Sequence, residues 1–124
     1  MISKFESEQS NPRVLRYQVV NPSDASYLQQ ADVSALRLYV FDTETDEEAT
    51  PEGGVALTVS SSVFNSLQAW DRDDVGYNVR VPVSGSYLPE AETTYRIEVK
   101  VTPTTGEAFY LEHVEIDTRK TYSA

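Results

Sequence analysis

The chain has 124 residues, a net charge of −10, a single histidine and no cysteine. That length fits one domain, large enough to bury about two-thirds of its unfolded surface. The absence of cysteine excludes a disulfide framework, a thiolate metal site and a cysteine nucleophile. Lys and Arg form no cluster, so nucleic acid and anionic membranes are not expected partners.

The N-terminus, "MISKFESEQS", lacks the apolar core of a signal peptide, and no segment approaches the roughly 18 apolar residues of a membrane span. The expectation is a soluble protein made in a cytoplasm. The acid excess is uneven: residues 42–92 carry eleven acids and two bases, while the flanks are close to balanced. Eight tyrosines, together with many Val and Thr, favour pleated sheet over helix.

In chain order, residues 1–12 are polar and aperiodic and read as an N-terminal arm, leaving 13–124 as the folded domain. "RVLRYQVV" (13–20) is a short β-rich run punctuated by "NPSD". "SYLQQAD" (26–32) reads as an extended connection or one helical turn. "SALRLYVFD" (34–42) alternates, with Leu36, Leu38 and Val40 on one face and Arg37, Tyr39 and Phe41 on a second, partly covered face. "TETDEEATPEGG" (43–54) is a loop by every local signal.

"VALTVS" (55–60) alternates again. "SSVFNSLQAW" (61–70) fits either a strand continuation or a short helical crossover. "GYNVRVPV" (76–83) puts Tyr77, Val79, Val81 and Val83 on one face. Pro82, which has no N–H, marks this strand as an edge or as a place where partners change. "TTYRIEVKVT" (93–102) is the clearest strand, with Tyr95, Ile97, Val99 and Val101 facing one way. "PTTGE" then turns a hairpin into "AFYLEHVEID" (108–117). There Phe109 and Leu111 share one parity and Val114 and Ile116 the other, so a β-bulge is expected near Glu112–His113, with a strand that changes sheets or is covered on both faces as the alternative.

Short strands, frequent turns and no long amphipathic helix predict an all-β fold. The expected form is an immunoglobulin-like antiparallel β-sandwich of about seven strands, with a small β-barrel as the alternative.

The acidic loops invite a metal reading. Asp42, Glu44 and Asp46 resemble the start of a calcium loop, but positions six and twelve are Glu47 and Gly53 rather than Gly and Glu. "DRDDVG" has Asp71, Asp73 and a Gly76 at position six, but Val75 and Pro82 occupy positions five and twelve. A structural calcium site from loop carboxylates is the remaining metal alternative. Catalytic carboxylates need burial to separate their pKa values. In polar loops Asp71, Asp73 and Asp74 read instead as turn formers that accept backbone N–H bonds. His113 has no G-x-S-x-G serine to serve. No catalytic residue, metal or cofactor is expected. Trp70 reads as an aromatic core anchor, with a surface platform for a sugar or protein as the alternative.

"VSALRLYVFD", "VSSSVFNSLQAWDRDDVGYNVRVPV" and "TYRIEVKVTPTTGEAFYLEHVEID" together resemble the small immunoglobulin-like structural proteins of tailed bacteriophages over residues 33–117. In that family a Trp and an acidic loop precede a "GYN" strand, and a "YRIEYK"-like hairpin closes the domain. The resemblance implies a non-enzymatic virion component of head, neck or tail. It would bind other virion proteins (capsid, connector or tail components) as a homo-oligomer within the assembly. Candidate partner contacts are Phe5, Trp70, Asp71, Asp73, Asp74 and Tyr77. A glycan-binding adhesive module is the alternative function. An acidic mimic of nucleic acid would need its acids spread along one face, whereas here they gather in two loops.

Overall fold

The computed structural model describes residues 3–8 as backbone, and residues 13–22 and 24–119 in full. The strands are β1 (Ser3–Glu8), β2 (Arg13–Tyr17), β3 (Val33–Asp42), β4 (Val55–Leu57), β5 (Val63–Gln68), β6 (Tyr77–Val83), β7 (Thr94–Pro103), β8 (Phe109–Tyr110) and β9 (Val114–Arg119). One sheet runs β1-β9-β7-β3-β4, with β8 also on β7, and the other runs β2-β6-β5. The fold is an all-β sandwich and not a closed barrel. β2 to β7, followed by β8 and β9 together, take positions B, C, C′, D, E, F and G of an immunoglobulin variable-type domain. The one parallel pair is β1 on β9, with Phe5 opposite Ile116. Part of the expected arm is therefore a sheet strand, while the rest of residues 1–12 and the side chain of Phe5 lie outside the described residues.

The alternating pattern places the core where period two requires it. Leu36, Leu38 and Val40 of β3 meet Tyr95, Ile97, Val99 and Val101 of β7 and Ile116 of β9 on the larger sheet. Leu15 and Tyr17 of β2, Val63 of β5, and Val79, Val81 and Val83 of β6 face them from the smaller sheet. On the outer face of β3, Tyr39 stacks on Phe41 at 6.2 Å and Arg96 lies over Phe41, giving the partly covered second face its cover.

Three ambiguous segments resolve. Gln30–Asp32 forms a 3-10 turn, so "SYLQQAD" combines an extended entry with one helical turn. Residues 55–68 hold short strand β4, a single helical turn Val59–Ser62, and β5, so strand and crossover are both present. Pro82 pairs with Val14 on the β2 side but lies beyond Val79, the last β6 residue paired with β5. Its missing N–H therefore falls where β6 has one neighbour.

The expected bulge is present. Val114 pairs with Ile97 and Tyr110 with Lys100, so three residues (Leu111, Glu112, His113) oppose two (Glu98, Val99). The extra residue lets Leu111, Val114 and Ile116 all be buried. It also splits one strand into β8 and β9, which together with β1 brings the described strands to nine against the seven expected.

The two sheets are joined by apolar packing with no cysteine bridge, and the E–F corner carries a feature common in immunoglobulin-like sandwiches. Tyr95, at the start of β7, is buried, and its hydroxyl accepts the Glu90 backbone N–H at 3.0 Å. This is a tyrosine corner, with Ile97 two residues on where the second cysteine of antibody domains stands. Removing that hydroxyl frees one backbone donor. Tyr95→Phe should therefore lower stability by about 1 kcal/mol, read as a fall of roughly 3–6 °C in Tm by calorimetry.

Candidate functional site

The segment 69–76 joins β5 to β6 and is organised by one carboxylate. Asp73 Oδ1 accepts the indole N–H of Trp70 at 2.7 Å, the Val75 N–H at 2.9 Å and the Gly76 N–H at 3.0 Å. Three donors favour the charged form, and they hold the carboxyl below its ordinary pKa. Gly76 closes the turn at φ 106°, and a Cβ there would stand 2.4 Å from the Gln68 carbonyl oxygen. Only glycine fits.

Tyr77 leaves the core row of its strand and joins an aromatic cluster. Its ring lies 5.8 Å from Phe64, edge-on, and 5.8 Å from Trp70, tilted. The Arg16 guanidinium sits over Tyr77 at 5.4 Å and that of Arg72 over Trp70 at 5.1 Å. Both distances are within cation–π range. Asn78 faces the opposite task. It is buried, accepts the Val19 N–H at 2.8 Å, and donates to the Val19 and Leu28 carbonyls at 2.8 and 2.9 Å. That clamps the 18–28 connection against β6 and seats Leu28 in the core.

Trp70 is therefore not the core anchor expected of it. It is half-buried and lies outside the core cluster. The tight Asp73 turn keeps its indole N–H bonded at the surface, while Tyr17 and Tyr95 take the buried aromatic places. What Trp70 anchors is the wall of a cleft.

That cleft, of about 790 Å³, follows the edge of β2 from Arg13 to Tyr17 and is walled by Trp70, Asp71, Arg72 and Tyr77 and by Glu112 and Val114 of the bulge. A second, of about 610 Å³, adjoins it and shares Arg16, Tyr17, Trp70, Arg72 and Glu112. Exposed Val20 and Tyr110 flank the second cleft. Among the described residues β2 pairs only with β6, and its other side borders this space. The Tyr17 hydroxyl is buried without a hydrogen bond among the described residues. Burial, with Glu112 nearby, pushes its pKa well up.

The structure thus brings Trp70, Asp73 and Tyr77 together and sets Asp71 on the cleft wall, while exposed Asp74 lines neither cleft. Sequence reasoning missed Arg16, Arg72, Tyr17 and Glu112. The available signal was that β2, β5 and β6 carry three arginines and no acid at all. The 42–54 loop is also organised by a turn carboxylate, with Asp42 Oδ1 accepting from the Glu44 N–H at 2.8 Å. Among the described residues, no three His, Asp or Glu side chains gather as a metal site.

Trp, Tyr and Arg side chains along an open strand edge make a surface suited to protein recognition. Comparison with known proteins finds no matching family model, no matching curated protein and no matching solved structure.

Because Trp70 is outside the core, Trp70→Ala should cost about 1–2 kcal/mol, against the 3–5 kcal/mol of a buried aromatic. Gly76→Ala should cost more, about 2–4 kcal/mol, because it meets backbone and a strained φ together. Urea titration of both variants checks that order. The depressed Asp73 pKa stabilises the turn above the ordinary aspartate range, and that contribution is lost as pH falls through the lowered value. Trp70 fluorescence should therefore shift below about pH 3.8, and Asp73→Asn should show the shifted spectrum at neutral pH.

Proposed function

We propose that this chain is a non-enzymatic structural module of a tailed-phage particle, an immunoglobulin-like domain that binds other virion proteins. The observation that carries the binding role is the aromatic–arginine cleft along β2, whose residue types are those that dominate protein interfaces. The particle itself is inferred from the resemblance. In its support, the three stretches that carry the likeness form consecutive parts of one sandwich: β3, then β5 with the Asp73 turn and β6, then β7 to β9. The glycine of "GYN" is required by the approach of Gln68, and its asparagine by the clamp on Val19 and Leu28. Both are reasons for such a motif to recur in domains of this shape.

A half-exposed Trp70 beside a cleft also favours the second reading, an adhesive module that stacks a sugar on its indole. The two separate experimentally. Density-gradient-purified virions should contain the protein by mass spectrometry, in stoichiometric copies that survive a high-salt wash. Absence from such particles would end the first reading. Saturable quenching of Trp70 fluorescence by mono- or oligosaccharides, lost in Trp70→Ala, would establish the second.

A further inference from the structure

The charges of this acidic chain are segregated by element. The eighteen residues of β2, β5 and β6 include Arg13, Arg16 and Arg80 and no Asp or Glu, although the chain has twice as many acids as bases. Arg16 and Arg80 are direct cross-strand partners on the outer face, alternating with buried Leu15, Tyr17, Val79 and Val81. Like charges set opposite each other destabilise a sheet. Among the described residues, neither of these two makes a salt bridge that would offset the repulsion, whereas the charge of Arg72 is balanced by its neighbour Asp73. The face carries a standing electrostatic cost that an anionic partner would relieve.

The complementary surface is on the same molecule. The β3–β4 connection, residues 42–52, holds six acids and no base. Glu44, Asp46, Glu47 and Glu52 are exposed. The loop is rigidly formed: Asp42 accepts from Glu44 through its side chain and from Asp46 through its carbonyl at 2.8 Å, and donates its N–H to Glu47 at 2.9 Å. Docking such a loop costs little ordering entropy. It leaves the β4 edge of the larger sheet, whereas the arginines lie on the smaller sheet. One copy's loop and its own arginine face belong to different elements, so the contact they can make between copies joins unlike patches.

We propose that the arginine face around Arg16 and Arg80 docks the acidic 42–52 loop of a second copy of this chain, giving head-to-tail association. A contact between unlike patches leaves one of each free at the ends of a dimer, so it closes into a ring or extends as a filament. This deepens the oligomeric part of the virion reading. It rests on the charge map of the chain alone, so its failure would leave presence in a particle untouched, and the reverse also holds.

The test is sedimentation velocity on the purified full chain at about 100 µM protein, at about 20 mM and about 0.5 M salt. The expected result is association at low salt that weakens at least about tenfold at high salt. Arg16→Gln/Arg80→Gln and Glu44→Gln/Asp46→Asn/Glu47→Gln should each be monomeric, with thermal melts confirming that both are folded. Mixed one to one, they should form a dimer and nothing larger, because the first supplies only a working loop and the second only a working face. A wild-type chain that stays monomeric at low salt would overturn the proposal. So would association that persists after the loop is neutralised.

Discussion

A single buried amide sets how this sandwich is put together. Asn78 uses its side-chain carbonyl and both amide protons on the backbone of residues 19 and 28, a segment otherwise lacking sheet partners apart from the isolated Val20–Tyr27 bridge. A connection crossing from the smaller sheet to the larger must pass over the end of the core with its peptide groups unpaired, and buried unpaired groups are costly. Asn78 bonds the Val19 N–H, the Leu28 carbonyl and the Val19 carbonyl, the last shared with the Leu28 N–H at 3.0 Å, and so helps seat Leu28 in the core as one of its fully buried side chains. The residues on either side then follow. Gly76 must be glycine because the chain turns into β6 against Gln68, and Tyr77, displaced from the core row, becomes available to the surface cluster.

Much of this fold could be read in advance, and for an identifiable reason. Period-two alternation in 34–42 and 93–102 placed the β3 and β7 faces correctly, because both strands lie inside the larger sheet with one face on the core. The parity change between Leu111 and Val114 pointed to the bulge because a strand with one face on the core must either gain a residue, change sheets or be covered on both faces, and here it gains a residue. The tyrosine corner lies in "LPEAETTYRI", where no local pattern marks it. A tyrosine that begins a strand and also caps the turn before it looks, in sequence, like any other strand residue.

The candidate site was less legible. Trp70 was expected in the core because tryptophan carries the largest apolar surface, yet a hydrogen bond to a carboxylate three residues along decides its position. Local polar geometry overruled hydrophobicity. Arg16 and Arg80 are 64 positions apart in sequence, and nothing in either segment announces that they face each other. Only the β2–β6 register does so. Charge summed over thirds of the chain hid this, because the sheet that lacks acids is assembled from three separate stretches.

The β8–β9 bulge has a consequence for how the chain can change length. It absorbs a single extra residue and so keeps Leu111 and the pair Val114 and Ile116 inside together. Substitutions at half-buried His113 or exposed Glu112 meet little resistance. Deleting Glu112 or His113 would leave Leu111 opposite Val99 and Val114 still opposite Ile97, an unbroken ladder with Leu111, Val114 and Ile116 on the same buried face. Over evolutionary time this stretch should be free in composition and free to lose its one extra residue, while Leu111, Val114 and Ile116 stay apolar.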